Sequence, residues 1–261
     1  MSWADSPGRA RALARVAWRD YLRQYPPSVI LLALAPRVLT QVAFWTLLAR
    51  AAGGPDSARY AMAGAIGQVV VSTMVGRASD VVLEDAVQGL SIPLRLGRTG
   101  PVTVVFARWL VYTPEAMLAG LLAVVVAPPL LGEPELLGPL LGRLPELLAL
   151  ALASACFGVF VASAAAFSGR AQTGVLAANA ATYLTLVVCG VVAPLPDLPV
   201  LREIAAVLPM THGIGALRSA APGPELRAEA VTALAWLALA VVAIRARSRR
   251  AAGTGGDDDQ F

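Results

Sequence analysis

Residues 28–48 read SVILLALAPRVLTQVAFWTLL, twenty-one residues with a single charge, Arg37. A helix rises 1.5 Å per residue, so a run of this length crosses a hydrocarbon core of about 30 Å. Comparable runs recur at 60–75, 113–131, 147–167, 175–192 and 230–244. Six such runs predict an all-α polytopic membrane protein with six transmembrane helices. The composition agrees, with 57% hydrophobic and 15% charged residues and a mean hydropathy of +0.67. That balance is too apolar for a water-soluble domain of this length.

All 21 basic residues are Arg; Lys is absent. A phosphate-binding P-loop places a Lys on the phosphates, so the chain holds no standard nucleotide-hydrolysing motif. Schiff-base chemistry is excluded for the same reason. The chain is therefore expected to be no enzyme by itself, and any ATP must be handled by another chain. The single His212 builds no metal cluster, and Cys156 and Cys189 fall inside apolar runs as small buried residues. No nucleic-acid partner is expected.

Cytoplasmic flanks favour Arg near the ends of spans. Arg9, Arg11, Arg15, Arg19 and Arg23 precede the first run, and Arg245, Arg247, Arg249 and Arg250 follow the last. Both ends are thus expected inside, consistent with an even number of crossings. Arg77, Arg95, Arg98 and Arg170 fall inside on the same count. The outer loops hold Arg50, Arg59, Arg143, Arg202, Arg218 and Arg227 with Asp56, Glu133, Glu135, Glu146, Asp197, Glu203, Glu225 and Glu229. No cleavable signal peptide is read before residue 28.

Residues 9–25 predict a basic amphipathic helix. Arg11, Arg15, Arg19 and Arg23 repeat at i, i+4 and form one ridge, while Leu13, Ala14, Ala17, Trp18 and Tyr21 fall on the other side. Such a helix suits the headgroup layer, with Trp18 and Tyr21 at the interface and the guanidinium groups on lipid phosphate. A plain positive flank is the competing reading. Within the first run, Arg37, Thr40 and Gln41 share one helical face and are candidates for lining a pathway. An ion pair between Arg37 and Glu115 is the structural alternative.

The stretch 77–101 reads RASDVVLEDAVQGLSIPLRLGRTGP. Its acidic first part extends the second span as a helix, and its glycines and prolines then turn the chain. Leu83, Val87 and Leu90 give an apolar stripe beside Glu84 and Asp85. These five residues suit a helix docking into a partner's groove, with ordinary packing on the chain's own surface as the bland alternative. The apolar region 101–131 is too long for one straight span, with Arg108 and Glu115 two turns apart on one face. Between the last two runs, prolines bracket a short helix at 200–207, and a second starts near Thr211. Both are too short to span, so they are read as re-entrant or outer-surface helices.

GVVAPLPDLP at 190–199, a short helix, and VLPMTHGIGALR at 207–218 resemble the Pro-bounded outer hairpin of permease subunits of type-2 ATP-binding-cassette exporters. The whole layout is similar to that family. Near the inner loop the family often carries an acidic-basic pair and then Gly-Thr-Leu; here Asp85 and Gly89 keep the spacing, while Ala86 and Leu90 depart from it. The resemblance implies one permease domain over 1–250, with an interface helix at 9–25, a cytoplasmic coupling loop at 77–100 and an outer re-entrant hairpin at 194–222. A disordered tail is expected at 251–261. It also implies a second permease copy or a sister permease, two ATPase subunits carrying ATP and Mg, and outward movement of an amphipathic or lipid-linked substrate. The expected location is a bacterial inner membrane.

The alternative is another kind of polytopic membrane protein. An intramembrane serine protease needs Gly-x-Ser-Gly, but Ser168-Gly169 follows Ala166-Phe167. A zinc protease needs His-Glu-x-x-His, which one His cannot supply. An ion-coupled carrier needs intramembrane acids, of which Glu115 is nearly the only one visible.

Overall fold

The computed structural model describes residues 7–87, 100–168, 170–194 and 198–253. Among them the secondary structure is helical throughout. In chain order the helices are α1 (Pro7–Gln24), α2 (Pro27–Val87), α3 (Pro101–Trp109), α4 (Thr113–Leu130), α5 (Leu137–Leu141), α6 (Leu144–Ala165), α7 (Ala171–Val188), α8 (Pro199–Val207), α9 (Thr211–Arg218) and α10 (Gly223–Gly253). Prolines start α3, α4, α6 and α8 at their first or second position. An amide hydrogen has no helical partner there, so the missing N–H costs nothing.

The hinge of the fold is inside α2. Gly54 takes φ +80°, ψ −165°, a conformation open to glycine and closed to most side chains, and Pro55 follows it. Nη2 of Arg37 donates to Oγ1 of Thr73 at 2.7 Å across a separation of 36 residues. A straight helix would hold these residues about 54 Å apart. The two arms, 27–53 and 55–87, therefore run antiparallel, with the turn at Gly54.

Arm 55–87 is the hub. Met62, Ile66, Val69, Val70 and Met74 are completely buried. Around the hub pack arm 27–53, α4, α6 and α7, while α10 lies along α6. The peripheral helices turn Leu32, Leu176, Val187, Val231 and Val242 outward, each more than 60% exposed. That inversion suits lipid as the outer solvent. Lipid tails are as apolar as the core, so close van der Waals packing of small residues holds such helices together. Ala65, Ala116, Ala119, Ala123, Ala151 and Ala155 supply it here.

Among the described residues, four helical stretches are long and apolar enough to cross a membrane: Ser28–Ala78, Pro101–Leu130, Leu144–Ser168 and Gly223–Arg250. The pair α8–α9, bent by 90°, makes a fifth if it is one broken span, and α7 is a shorter apolar helix. The chain is a multi-pass membrane protein. The long region 101–130 is broken, as its length predicts, by a 3-10 turn at Leu110–Tyr112. At the C-terminal end α10 continues to Gly253, so residues 251–253 are helical rather than part of a disordered tail. Residues 254–261 lie outside the described part.

Candidate functional site

A dense polar cluster sits where α1, the C-terminal end of α2, and the α3–α4 junction meet. Arg77 faces Glu115 across three hydrogen bonds: Nε to Oε1 at 3.2 Å and to Oε2 at 3.0 Å, and Nη2 to Oε1 at 2.8 Å. Its Nη1 reaches Oδ2 of Asp80 at 3.2 Å. The phenol of Tyr21 donates to Oε2 of Glu115 at 2.9 Å. Aromatic rings close the cluster. The Arg77 guanidinium lies 4.5 Å from the Tyr25 ring centre and 5.4 Å from that of Tyr112. Tyr21 meets Tyr112 edge to face at 5.4 Å. Tyr21, Val81, Val111 and Tyr112 form a small core of their own.

The local reasons are simple. Tyr21, on α1, and Tyr25, just past its end, are one turn apart, the Tyr25 amide donating to the Tyr21 carbonyl at 2.8 Å, so both rings face the same neighbour. Arg77 and Asp80 are three apart on α2 and share a face. Burial, and then the charge of Glu115, hold the Tyr21 phenol above its ordinary pKa. It stays a neutral donor at physiological pH. Charge-assisted bonds of this kind are stronger than neutral ones, and rings over a guanidinium add attraction without solvent.

This geometry corrects two sequence expectations. Glu115 pairs with Arg77 and Tyr21, not with Arg37, whose partner is Thr73. Tyr21 is 6% exposed and packs on Glu115 and Tyr112 rather than facing lipid headgroups. The sequence reading missed the cluster because Arg77 and Glu115 stand 38 positions apart. The Tyr21–Tyr25 spacing was the one local sign of it.

The other candidate residues fall as follows. Arg11, Arg15, Arg19 and Arg23 are exposed on α1, on the side away from Tyr21, and Trp18 stacks on Tyr21 at 5.7 Å while 39% exposed. Arg37 and Thr40 are exposed on arm 27–53, and Gln41 is half-buried beside them. Leu83, Glu84, Asp85 and Val87 lie on the last turns of α2. Leu90 and the rest of 88–99 lie outside the described residues. Among the described residues no group of acids, His and Cys could hold a metal.

At the opposite end of the bundle, Glu133 joins the two sides of the Gly54 turn. Its Oε1 takes Nη2 of Arg50 at 2.8 Å, and its Oε2 takes Nε of Arg59 at 2.7 Å; Arg59 also meets Glu135 at 2.7 Å. The hydrogen bond from Arg59 leads the causes that hold Glu133 below the usual carboxylate range. Arg50 and Arg59, two of the arginines that blur the charge bias, are thus neutralised in place.

The bent pair α8–α9 is pinned by Arg218. Its guanidinium donates to the carbonyls of Tyr60, Gly190 and Val191 at 2.8–3.2 Å and stacks 3.5 Å from the Tyr60 ring centre. Gly64 makes room for it: a Cβ there would run into the Val191 carbonyl and the Arg218 guanidinium. Glu229, assigned to an outer loop on sequence, is buried in α10, where its Oε2 accepts the Gly213 amide at 2.8 Å. Beside it Nδ1 of His212 lies 2.9 Å from Oε2 of Glu225.

A family model described as ABC-2 type transporter matches residues 11–221. No curated protein matches the chain.

Proposed function

The chain belongs to the ABC-2 type transporter family, whose members are the permease components of these transporters, and from that premise we propose that it is the membrane subunit of an exporter for an amphipathic or lipid-linked substrate. The family's domain is a membrane component and not itself an enzyme. Two ATPase subunits on the inner face bind ATP and Mg, and a second permease copy or a sister permease completes the path. The membrane is a bacterial inner membrane, and both ends of the chain lie inside. The reading takes the two arms of α2, the α3–α4 unit, α6, α7 and α10 as six crossings. It keeps α8–α9 on the outer side and α1 along the inner headgroup layer.

One observation supports the coupling half of this reading. Arg77 stands at the root of the loop 77–100 and binds α1, α2 and α4 together through Tyr25, Asp80 and Glu115. A force applied to that loop is delivered at once to three elements rather than to one. An ion-coupled carrier is not favoured: Glu115 is spent on Arg77 and Tyr21, leaving it poorly placed to carry a travelling proton. The decisive experiment is co-purification. The chain alone should hydrolyse no ATP, and expressed with its ATPase it should bring that subunit through two affinity steps. Steady hydrolysis by the pure chain sinks the permease reading.

A further inference from the structure

We propose that Arg37, Thr40 and Gln41, backed by Thr73, form a binding site for the anionic head of an amphiphile, a phosphate or carboxylate carried on a hydrophobic tail. The proposal rests on the transport reading above and narrows its cargo.

Arg37 is a cation in an apolar wall. A guanidinium does not give up its proton in a protein, so in a low-dielectric layer it requires a counter-charge or water. Among the described residues no carboxylate lies within ion-pair distance of it. Its one polar partner among them is the Thr73 hydroxyl, 2.7 Å away. That hydroxyl gives its own hydrogen to the Val69 carbonyl at 2.8 Å, so it accepts from Arg37 and orients it without neutralising it. Arg77, four residues from Thr73 and about 6 Å along the same arm, is by contrast matched by Glu115 and Asp80. Two arginines thus sit one turn apart in depth, one in direct ion pairs and one without, the Glu115 charge reaching Arg37 only from beyond contact distance.

The surroundings of Arg37 have the shape of an amphiphile. Thr40 and Gln41, three and four residues on, lie on the same helical face and add a hydroxyl and an amide. Phe44 and Leu48, at i+7 and i+11, continue that face outward as an apolar strip and are 56% and 47% exposed. From Arg37 to Leu48 the strip is about 16 Å long, close to the length of an acyl chain of a dozen carbons. The cationic end lies toward Pro27 and the apolar end toward the Gly54 turn. Arg37 lies ten residues, about 15 Å, beyond Pro27, so an anion held there sits well below the headgroup layer with its tail along the strip.

The test is a titration of the purified full chain in neutral maltoside detergent with monododecyl phosphate, read by thermal shift. Wild type should saturate. Arg37→Gln should weaken the apparent affinity about tenfold or more, the loss of one charge-assisted pair. Arg37→Lys should keep it within about threefold, and Thr40→Val with Gln41→Leu should weaken it about threefold. Arg227→Gln, an exposed arginine on α10, should titrate like wild type. Dodecyltrimethylammonium should show no Arg37-dependent shift. If Arg37→Gln does not fold, the Lys variant and the Thr40/Gln41 double variant decide the matter. Inorganic phosphate binding as tightly as monododecyl phosphate would show a free-anion site and overturn the amphiphile. Vesicles of phosphatidylcholine with and without phosphatidylglycerol separate the sources. Competition by phosphatidylglycerol assigns the site to a bilayer lipid, and its absence assigns it to cargo; both support an anionic head at Arg37. A wild-type titration in Arg37→Gln overturns the site while leaving ATPase co-purification untouched. Failure of co-purification in wild type sinks the transporter reading and leaves the titration standing.

Discussion

Arg77 and Glu115 stand 38 positions apart in the chain, yet three hydrogen bonds of 2.8–3.2 Å join their side chains. Glu115 is 7% exposed, so little water stands ready to replace Arg77. The pair closes the end of the bundle where arm 55–87 finishes, and the Tyr21 phenol adds α1 to it.

Removing one member of such a pair leaves the other charge buried. Glu115→Gln should lower stability by about 3 kcal/mol, and Tyr21→Phe by about 1 kcal/mol through one lost hydrogen bond. Thermal melts in detergent measure both. The double variant should cost less than the sum, because the two substitutions share one carboxylate. Full additivity would show that Tyr21 does not act through Glu115.

Gly64 sits under the Arg218 clamp with no space for a methyl group. Gly64→Ala should cost about 2–3 kcal/mol through forced displacement of the clamp. Gly76, where a Cβ meets open space, is the matched control, and Gly76→Ala should be neutral or slightly stabilising. Equal melting temperatures for the two variants would remove Gly64 as a packing constraint.

The inner loop carries the next expectation. Leu90→Ala with Asp85→Ala should leave membrane insertion intact, weaken ATPase association and abolish transport, since a truncated anchor costs about 1–3 kcal/mol at an interface. Glu203→Ala on α8, an exposed position, should leave the ATPase bound. An inner double variant that assembles and transports like wild type would move coupling elsewhere.

Sidedness is checked by labelling. With Cys156→Ala and Cys189→Ala as background, a Cys at Pro139 should react with an impermeant maleimide in intact cells, and one at Gly253 should not. Reaction at Gly253 reverses the orientation.

Acid should loosen the Gly54 end first. The folded-state pKa of Glu133 is depressed by its arginines, so its contribution is fully present above its unfolded value, about 4.3. It is lost as pH falls through the folded value. The melting temperature should therefore fall less on acidification in Glu133→Gln than in wild type. Equal acid sensitivity would show that this carboxylate does not titrate on unfolding.

Apolar length and proline placement made much of the helical layout legible. The break in 101–130 and the two short helices at 199–218 were read from length, charge and proline alone. Gly54 was not singled out, because a single glycine in GGP does not say whether the chain kinks or doubles back. The ridge of four arginines on α1 was visible as a repeat of four. What Tyr21 touches was not, since its partner comes from a helix 94 residues away. Glu229 was misplaced because a charge near a span end reads as loop. Its burial depends on the Gly213 amide from another helix, and no one-dimensional pattern encodes that meeting.

Arm 55–87 contains no helical break after Gly54. From Arg59 to Val87 it is a rod of about 42 Å, held at one tip by Glu133 and gripped near the other by Glu115. With the far tip as pivot, a sideways push of about 3 Å at Val87 needs a tilt of only about 4°. Thr73, halfway along, would travel about half that distance. A small stroke at the Val87 tip would thus be enough to loosen the 2.7 Å contact that steadies Arg37, with no helix unwinding along arm 55–87.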